Sequence, residues 1–65
     1  MWTTYWWGIE DEDSEICGEE FFTELLDATY EQHIGYVREI FPDEDPVCYG
    51  KVSEAEAEMM GLDTY

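Results

Sequence analysis

The chain has 65 residues, and 18 acidic side chains against two basic ones give it a formal net charge of −16. Direct nucleic-acid binding is excluded because phosphate contacts need Lys or Arg, and anionic membrane surfaces would repel the chain. Its hydrophobic content of 45% is too high for a disordered acidic tail, so we predict one small folded domain over residues 1–65.

The excess of negative charge is itself informative. Solubility of a small domain is served by a net charge of magnitude roughly 2–8, and further charge costs stability through self-repulsion. Only Arg38 and Lys51 are available to form internal ion pairs. The composition therefore predicts a basic partner.

Residues 1–9 (MWTTYWWGI) have the Thr, Tyr, Trp and Ile content of a β-strand. Alternation places Thr3, Tyr5, Trp7 and Ile9 on one face and Trp2, Thr4, Trp6 and Gly8 on the other. If one face stays exposed, its tryptophans are candidate interface anchors, and we include Trp6 and Trp7 in the predicted partner-binding set. The alternative is that both faces are covered.

Residues 10–18 (EDEDSEICG) are predicted to form an acidic connecting loop. The spacing of Asp11, Asp13 and Glu15 invites comparison with a calcium-binding EF-hand, which needs Gly at loop position six and Glu at position twelve. Ile16 and Phe22 occupy those positions here. We therefore predict no metal site.

Residues 19–33 (EEFFTELLDATYEQH) are predicted to form a helix with two opposed faces. Its apolar face would carry Phe22, Leu25, Leu26, Thr29 and His33. Its other face would carry an acidic stripe, which is Glu20, Glu24, Asp27 and Glu31.

The β-branched and aromatic residues of 34–41 (IGYVREIF) favour a strand. A proline-bounded turn at 42–46 and a second strand at 47–52 would complete a hairpin. The competing interpretation is a helix at 33–41, because Ile34, Val37 and Phe41 also suit helical spacing.

The last element is marked by a capping box, with Ser53 as the N-cap, Glu56 at N3 and Gly61 as the stop. The predicted fold class is therefore α+β. The predicted element order is strand, helix, strand, strand, helix, with both helices packed on a small sheet.

Catalytic chemistry has little support in the sequence. His33 is the only histidine, and its place on the predicted apolar face favours a packed, hydrogen-bonded residue over a base. Cys17 and Cys48 lack the flanking cations that lower a thiol pKa. We predict no enzymatic activity and no cofactor. Without a signal-peptide pattern or an apolar stretch of about 20 residues, the chain is expected to be cytoplasmic with reduced thiols.

The function that fits these features is mimicry of nucleic acid. Glu20 to Glu31 on a helix would span about 16 Å at 1.5 Å per residue, a length over which one DNA strand presents about five phosphates. The connector and the turn would extend this surface. The predicted partner-binding carboxylates are Glu20, Glu24, Asp27, Glu31, Asp11, Asp13, Asp43, Glu44 and Asp45.

In composition, length and acidity the chain resembles the small DNA-mimic proteins of phages and mobile elements, which inhibit restriction enzymes, uracil-DNA glycosylase or CRISPR complexes. The resemblance implies a basic nucleic-acid-binding enzyme or complex as the partner. It rests on no motif and transfers no residue role.

Two alternatives belong to other functional classes. One is an acidic protein–protein adaptor whose affinity centres on Trp2, Trp6 or Trp7. The other is a small homodimer that buries its tryptophan face against a second copy. A mimic needs carboxylates that continue across several elements, whereas an adaptor needs one acidic patch around an apolar centre.

Overall fold

β1 (Trp2–Gly8) is the strand on which the rest of the fold is assembled in the computed structural model, which describes residues 1–65. It pairs antiparallel with β2 (Glu20–Leu26) on one side and with β3 (Val47–Val52) on the other. β4 (Asp63–Thr64) adds a short parallel strand to β2. The resulting sheet has the order β3-β1-β2-β4.

Two helices complete the fold: α1 (Tyr30–Ile40) precedes β3, and α2 (Glu54–Met60) follows it. The α+β class is thus confirmed. The strands predicted at 1–9 and 47–52 are present, as are the acidic connector and the turn. The observed order is β1-β2-α1-β3-α2-β4, which differs from the predicted one over residues 19–33, over residues 34–41 and in the added C-terminal strand β4.

The helix predicted over residues 19–33 is wrong. Its first half is β2, which pairs with β1 in a register that sets Phe21 opposite Trp7 and Phe22 opposite Trp6. Cross-strand aromatic pairs stabilise a sheet, and here they override the helical spacing of the apolar residues. Both phenylalanines are buried although they point to opposite faces, so each face of the sheet is covered where β2 carries them.

The strand predicted over residues 34–41 is also wrong, and the competing helical interpretation is confirmed. α1 begins at a capping box that the sequence interpretation missed. The Thr29 hydroxyl accepts from the Gln32 N–H (3.2 Å), and the Gln32 side chain accepts from the Thr29 N–H (2.8 Å). Two orphan donors are thereby satisfied, and the helix buries His33 and Val37.

The C-terminal helix forms where its capping signals predicted it. The Ser53 hydroxyl accepts from the Glu56 N–H, and Gly61 ends the helix in the left-handed conformation at φ 66°. None of its residues is fully buried, so α2 covers its side of the sheet much less than α1 covers the other. Neither helix is long or apolar enough to cross a membrane.

The main core lies between the sheet and α1. Trp7, Ile9, Phe21 and Val37 form its buried centre, and Phe41 packs against it with its ring 4.8 Å from that of Phe21. Glu24 N–H donates to the Tyr65 carbonyl (3.1 Å), and Tyr65 N–H donates to the Phe22 carbonyl (2.8 Å). These bonds tie the C-terminus to β2.

His33 lies inside this core as a fully buried, hydrogen-bonded residue, as the sequence predicted. Its Nδ1 lies 2.7 Å from the Thr23 hydroxyl, and its Nε2 lies 2.7 Å from the Thr3 hydroxyl. The Trp7 indole N–H also donates to the Thr23 hydroxyl (2.8 Å). β1, β2 and α1 are therefore joined by one network of buried hydrogen bonds in an otherwise apolar core.

The hydrogen-bond partners of His33 set its protonation state. The Thr3 hydroxyl donates to the Leu25 carbonyl (3.1 Å), so it accepts from His33 Nε2–H. Nδ1 is then the acceptor for the Thr23 hydroxyl. A proton on Nδ1 would leave the Thr23 hydroxyl hydrogen without an acceptor. Burial, and secondarily the positive charge of Lys51, lower the pKa of His33 from its ordinary value.

Candidate partner-binding surface

The acidic stripe predicted on a helix does not exist as one stripe, because its members lie on three different parts of the fold. Glu20 and Glu24 share one face of β2, about 13 Å apart at about 3.3 Å per residue. Asp27 lies in the turn after β2, and Glu31 lies in the first turn of α1. The structure therefore brings together only the first two.

Asp27 has a structural role that the sequence did not reveal. Its carboxylate pairs with the N-terminal ammonium of Met1, and its N–H donates to the Met1 carbonyl (2.7 Å). Its backbone adopts φ 50°, a conformation that Asp tolerates better than most residues. Asp27 thus joins the start of β1 to the end of β2.

The connector carboxylates are exposed and arranged by a local turn. Asp11 accepts the Asp13 N–H on its side chain (2.9 Å) and the Ser14 N–H on its carbonyl (3.0 Å). Such Asx turns hold the chain without using tertiary contacts. No group of three or more His, Cys, Asp or Glu side chains is arranged to hold a metal ion.

The turn between α1 and β3 carries the remaining predicted carboxylates. Asp43 and Asp45 are exposed, whereas Glu44 is half-buried. Glu44 and Asp45 line a cleft between α1 and β3 together with Arg38. Arg38 forms no ion pair there, since the only one within 4.0 Å in the protein is that of Met1 with Asp27.

The three tryptophans have different environments. Trp7 is buried at 3% exposure with its indole bonded to Thr23, so its prediction as a surface anchor is wrong. The physical reason is that α1 packs on the face of β1 that carries Trp7. Trp6 points to the opposite face and is half-buried, and its indole N–H donates to the Glu20 carboxylate (2.9 Å). Trp2, named only in the adaptor alternative, is 61% exposed.

Tyr49 lies beside Trp6 and was missed by the sequence interpretation. The β1–β3 register shifts between Trp6 and Trp7, so Tyr49 has no paired residue in β1. Its ring lies 4.7 Å from that of Trp6 and covers Gly8, where a Cβ would overlap the Tyr49 hydroxyl. A strand glycine often marks such a close approach, and Gly8 was the available signal.

The electrostatics around Tyr49 are negative. Burial raises the pKa of Tyr49, and a hydrogen bond to Glu10 and the negative charges of Glu10 and Glu20 raise it further. Glu10, Glu20 and Tyr49 also line a shallow cleft with the connector, and no basic side chain contributes to its wall. A cation would therefore be attracted to this part of the sheet.

The acidic surface extends over the whole molecule. All 18 acidic side chains are exposed except the half-buried Glu44. Neither Arg38 nor Lys51 pairs with any of them. The Cα atoms span 35 × 24 × 15 Å, so dividing the long axis by the 16 net charges gives one charge per about 2.2 Å. Duplex DNA carries one charge per about 1.7 Å of its axis.

Comparison with protein-family profiles, with curated proteins and with solved structures finds no match for this chain.

Proposed function

We propose that this protein is an acidic nucleic-acid mimic, which occupies the basic nucleic-acid-binding groove of a partner protein and inhibits it. The observation that carries the proposal is the density of uncompensated charge along the long axis, about 2.2 Å per charge against about 1.7 Å in duplex DNA. The long axis of 35 Å is also close to one turn of the duplex, about 34–36 Å.

The distribution of the carboxylates supports mimicry by the whole surface instead of by one helix. Exposed acids occur on β2, in the connector, in the turn after α1 and along α2. A groove that binds phosphates would meet negative charge on each of these elements. This continuity across elements distinguishes a mimic from an adaptor with one local acidic patch.

Two further features support a cytoplasmic location and a nucleic-acid-binding enzyme or complex as the partner. Cys17 and Cys48 are both free, which suits the reducing cytoplasm where nucleic-acid enzymes act. The resemblance to mimic proteins of phages and mobile elements suggests a restriction enzyme, a DNA-repair enzyme or a CRISPR complex as the partner class. We propose a cytoplasmic location on these grounds.

The test is competitive displacement. Proteins captured from a lysate on the immobilised chain at low salt are challenged with a duplex oligonucleotide. A matched challenge uses NaCl of the same ionic strength. Mimicry predicts release by the duplex and not by the salt, because both ligands need the same groove. A partner that stays bound to the chain while it also binds the duplex would refute mimicry.

The exposure of Trp2 favours the adaptor as a second candidate function. Trp2 (61% exposed) and its cross-strand neighbour Leu26 (57% exposed) form an apolar pair at the end of the sheet. An adaptor centred on this pair would bind an ordinary basic protein, and duplex DNA would not displace that partner.

A further inference from the structure

The side of the sheet opposite α1 presents aromatic rings to solvent. Trp2 and Trp6 of β1 and Tyr49 of β3 lie on this side, and we call these three residues the aromatic face. Trp2 is 61% exposed, Tyr49 is 42% exposed and Trp6 is half-buried. The short helix α2 buries none of its own residues on the sheet and leaves these three rings accessible.

Two of these rings are held in place before any partner arrives. The Trp6 indole N–H is bonded to Glu20 at 2.9 Å, and its ring packs against Tyr49 at an interplanar angle of 58°. Gly8 gives the Tyr49 ring the space it occupies. Rings that are already ordered lose little conformational entropy on binding, which suits them to an interface.

Carboxylates surround the aromatic face. Glu10 and Glu20 lie beside Tyr49, and Glu24 and Glu54 line a cleft of ≈ 430 Å³ next to Trp2. Lys51 is the only basic side chain in that cleft, and it forms no ion pair. The electrostatic complement of this surface is a basic one. A second copy is a poor occupant because both chains carry a charge of −16.

We propose that the aromatic face is the part of the surface that contacts the partner, and that it receives arginine side chains. Arginine fits because its planar guanidinium stacks on aromatic rings and forms bidentate hydrogen bonds with carboxylates. Lysine offers a compact, strongly hydrated charge without that planar geometry. The choice of a basic protein as partner rests on the proposed function, whereas the choice of face rests on these contacts.

The first test is an NMR titration of the ¹⁵N-labelled chain with a hexa-arginine peptide and with a hexa-lysine peptide. The three indole N–H signals report separately, and buried Trp7 is the internal control. We expect the signals of Trp2 and Trp6 to shift with hexa-arginine while that of Trp7 stays unchanged. Hexa-arginine should bind about fivefold more tightly than hexa-lysine, since cation–π contacts favour arginine.

The second test compares two double variants with equal net charge. E20Q/E24Q neutralises two carboxylates beside the aromatic face and keeps oxygen acceptors for Trp6 and Thr4. E31Q/E39Q neutralises two exposed positions of α1, on the other side of the sheet. We expect the first pair to weaken hexa-arginine binding at least threefold more than the second. Trp2→Ala should reduce the preference for arginine over lysine.

Two outcomes separate the two proposals. Equal weakening by both double variants, or unchanged signals of Trp2 and Trp6, would overturn the choice of face and leave mimicry to the displacement assay. If instead the aromatic face binds hexa-arginine as expected but duplex DNA fails to displace the captured partner, mimicry is wrong and the arginine-binding face stands.

Discussion

The most demanding test of the fold is the substitution Thr23→Val. The Thr23 hydroxyl accepts from the Trp7 indole and bonds to His33 Nδ1, and all three residues are buried. Valine keeps the shape of the side chain and removes the oxygen. Two buried polar groups then lose their partner in one substitution.

The expected loss of stability follows from the penalty for leaving a buried polar group without a hydrogen-bond partner, about 1–3 kcal/mol for each group. Two of them give a loss of about 2–6 kcal/mol in the free energy of unfolding. A domain of 65 residues has a total of roughly 3–10 kcal/mol. Thr23→Val should therefore leave the protein marginally folded or unfolded.

Urea denaturation at pH 7.5, followed by tryptophan fluorescence, measures this loss. With a slope of about 1 kcal/mol per M, the midpoint should fall by about 2 M or more. Thr4→Val is the matched control on the neighbouring strand. Its hydroxyl makes only a 3.3 Å bond to the exposed Glu24, which water can replace, so its cost should stay below about 1 kcal/mol.

Thr23→Ser separates the hydroxyl from the methyl group. It keeps the oxygen and loses a buried methyl, at a cost of about 0.8 kcal/mol. We expect Thr23→Ser to fold and to lie between the wild type and Thr23→Val in stability. Two outcomes would show that the buried hydrogen-bond network around Thr23 does not stabilise the core. One is equal urea midpoints for Thr23→Val and Thr4→Val, and the other is a Thr23→Ser variant as unstable as Thr23→Val.

Three further predictions concern pH, salt and the last helix. The pKa of His33 is lowered in the fold, so the unfolded chain binds the proton first as pH drops. The free energy of unfolding should therefore fall below about pH 6.5, by at most about 1.4 kcal/mol per pH unit. In urea titrations from pH 7.5 to 5.5, the variant His33→Gln should lack this pH-dependent component. Raising NaCl from about 10 to 150 mM, which shortens the Debye length from about 30 to about 8 Å, should raise the melting temperature because the acids repel one another with a single ion pair to relieve them; an unchanged melting temperature would contradict this. Ser53→Ala should cost about 1 kcal/mol and move the Cα chemical shifts of residues 54–60 toward coil values, while those of β1 stay in place because none of the α2 residues is fully buried.

Where a signal lies within a few residues, the sequence alone was sufficient. Ser53 and Glu56 cap α2, and Gly61 ends it, through contacts that need no other part of the chain. The aromatic and β-branched composition of residues 1–9 likewise predicted β1 and the two side-chain faces it presents. The excess of acid follows from composition and holds in any fold.

Tertiary structure decided the secondary structure of residues 19–41 and the burial of each tryptophan. Glu20–Leu26 has apolar spacing compatible with a helix, and it becomes a strand because β1 offers aromatic partners 14 or more residues away in sequence. Which face of β1 is buried depends on where α1 packs, so Trp7 enters the core while Trp6 remains near solvent. Local periodicity cannot report a partner that is distant along the chain, and in a small sheet those distant partners determine both the strand and its exposed face.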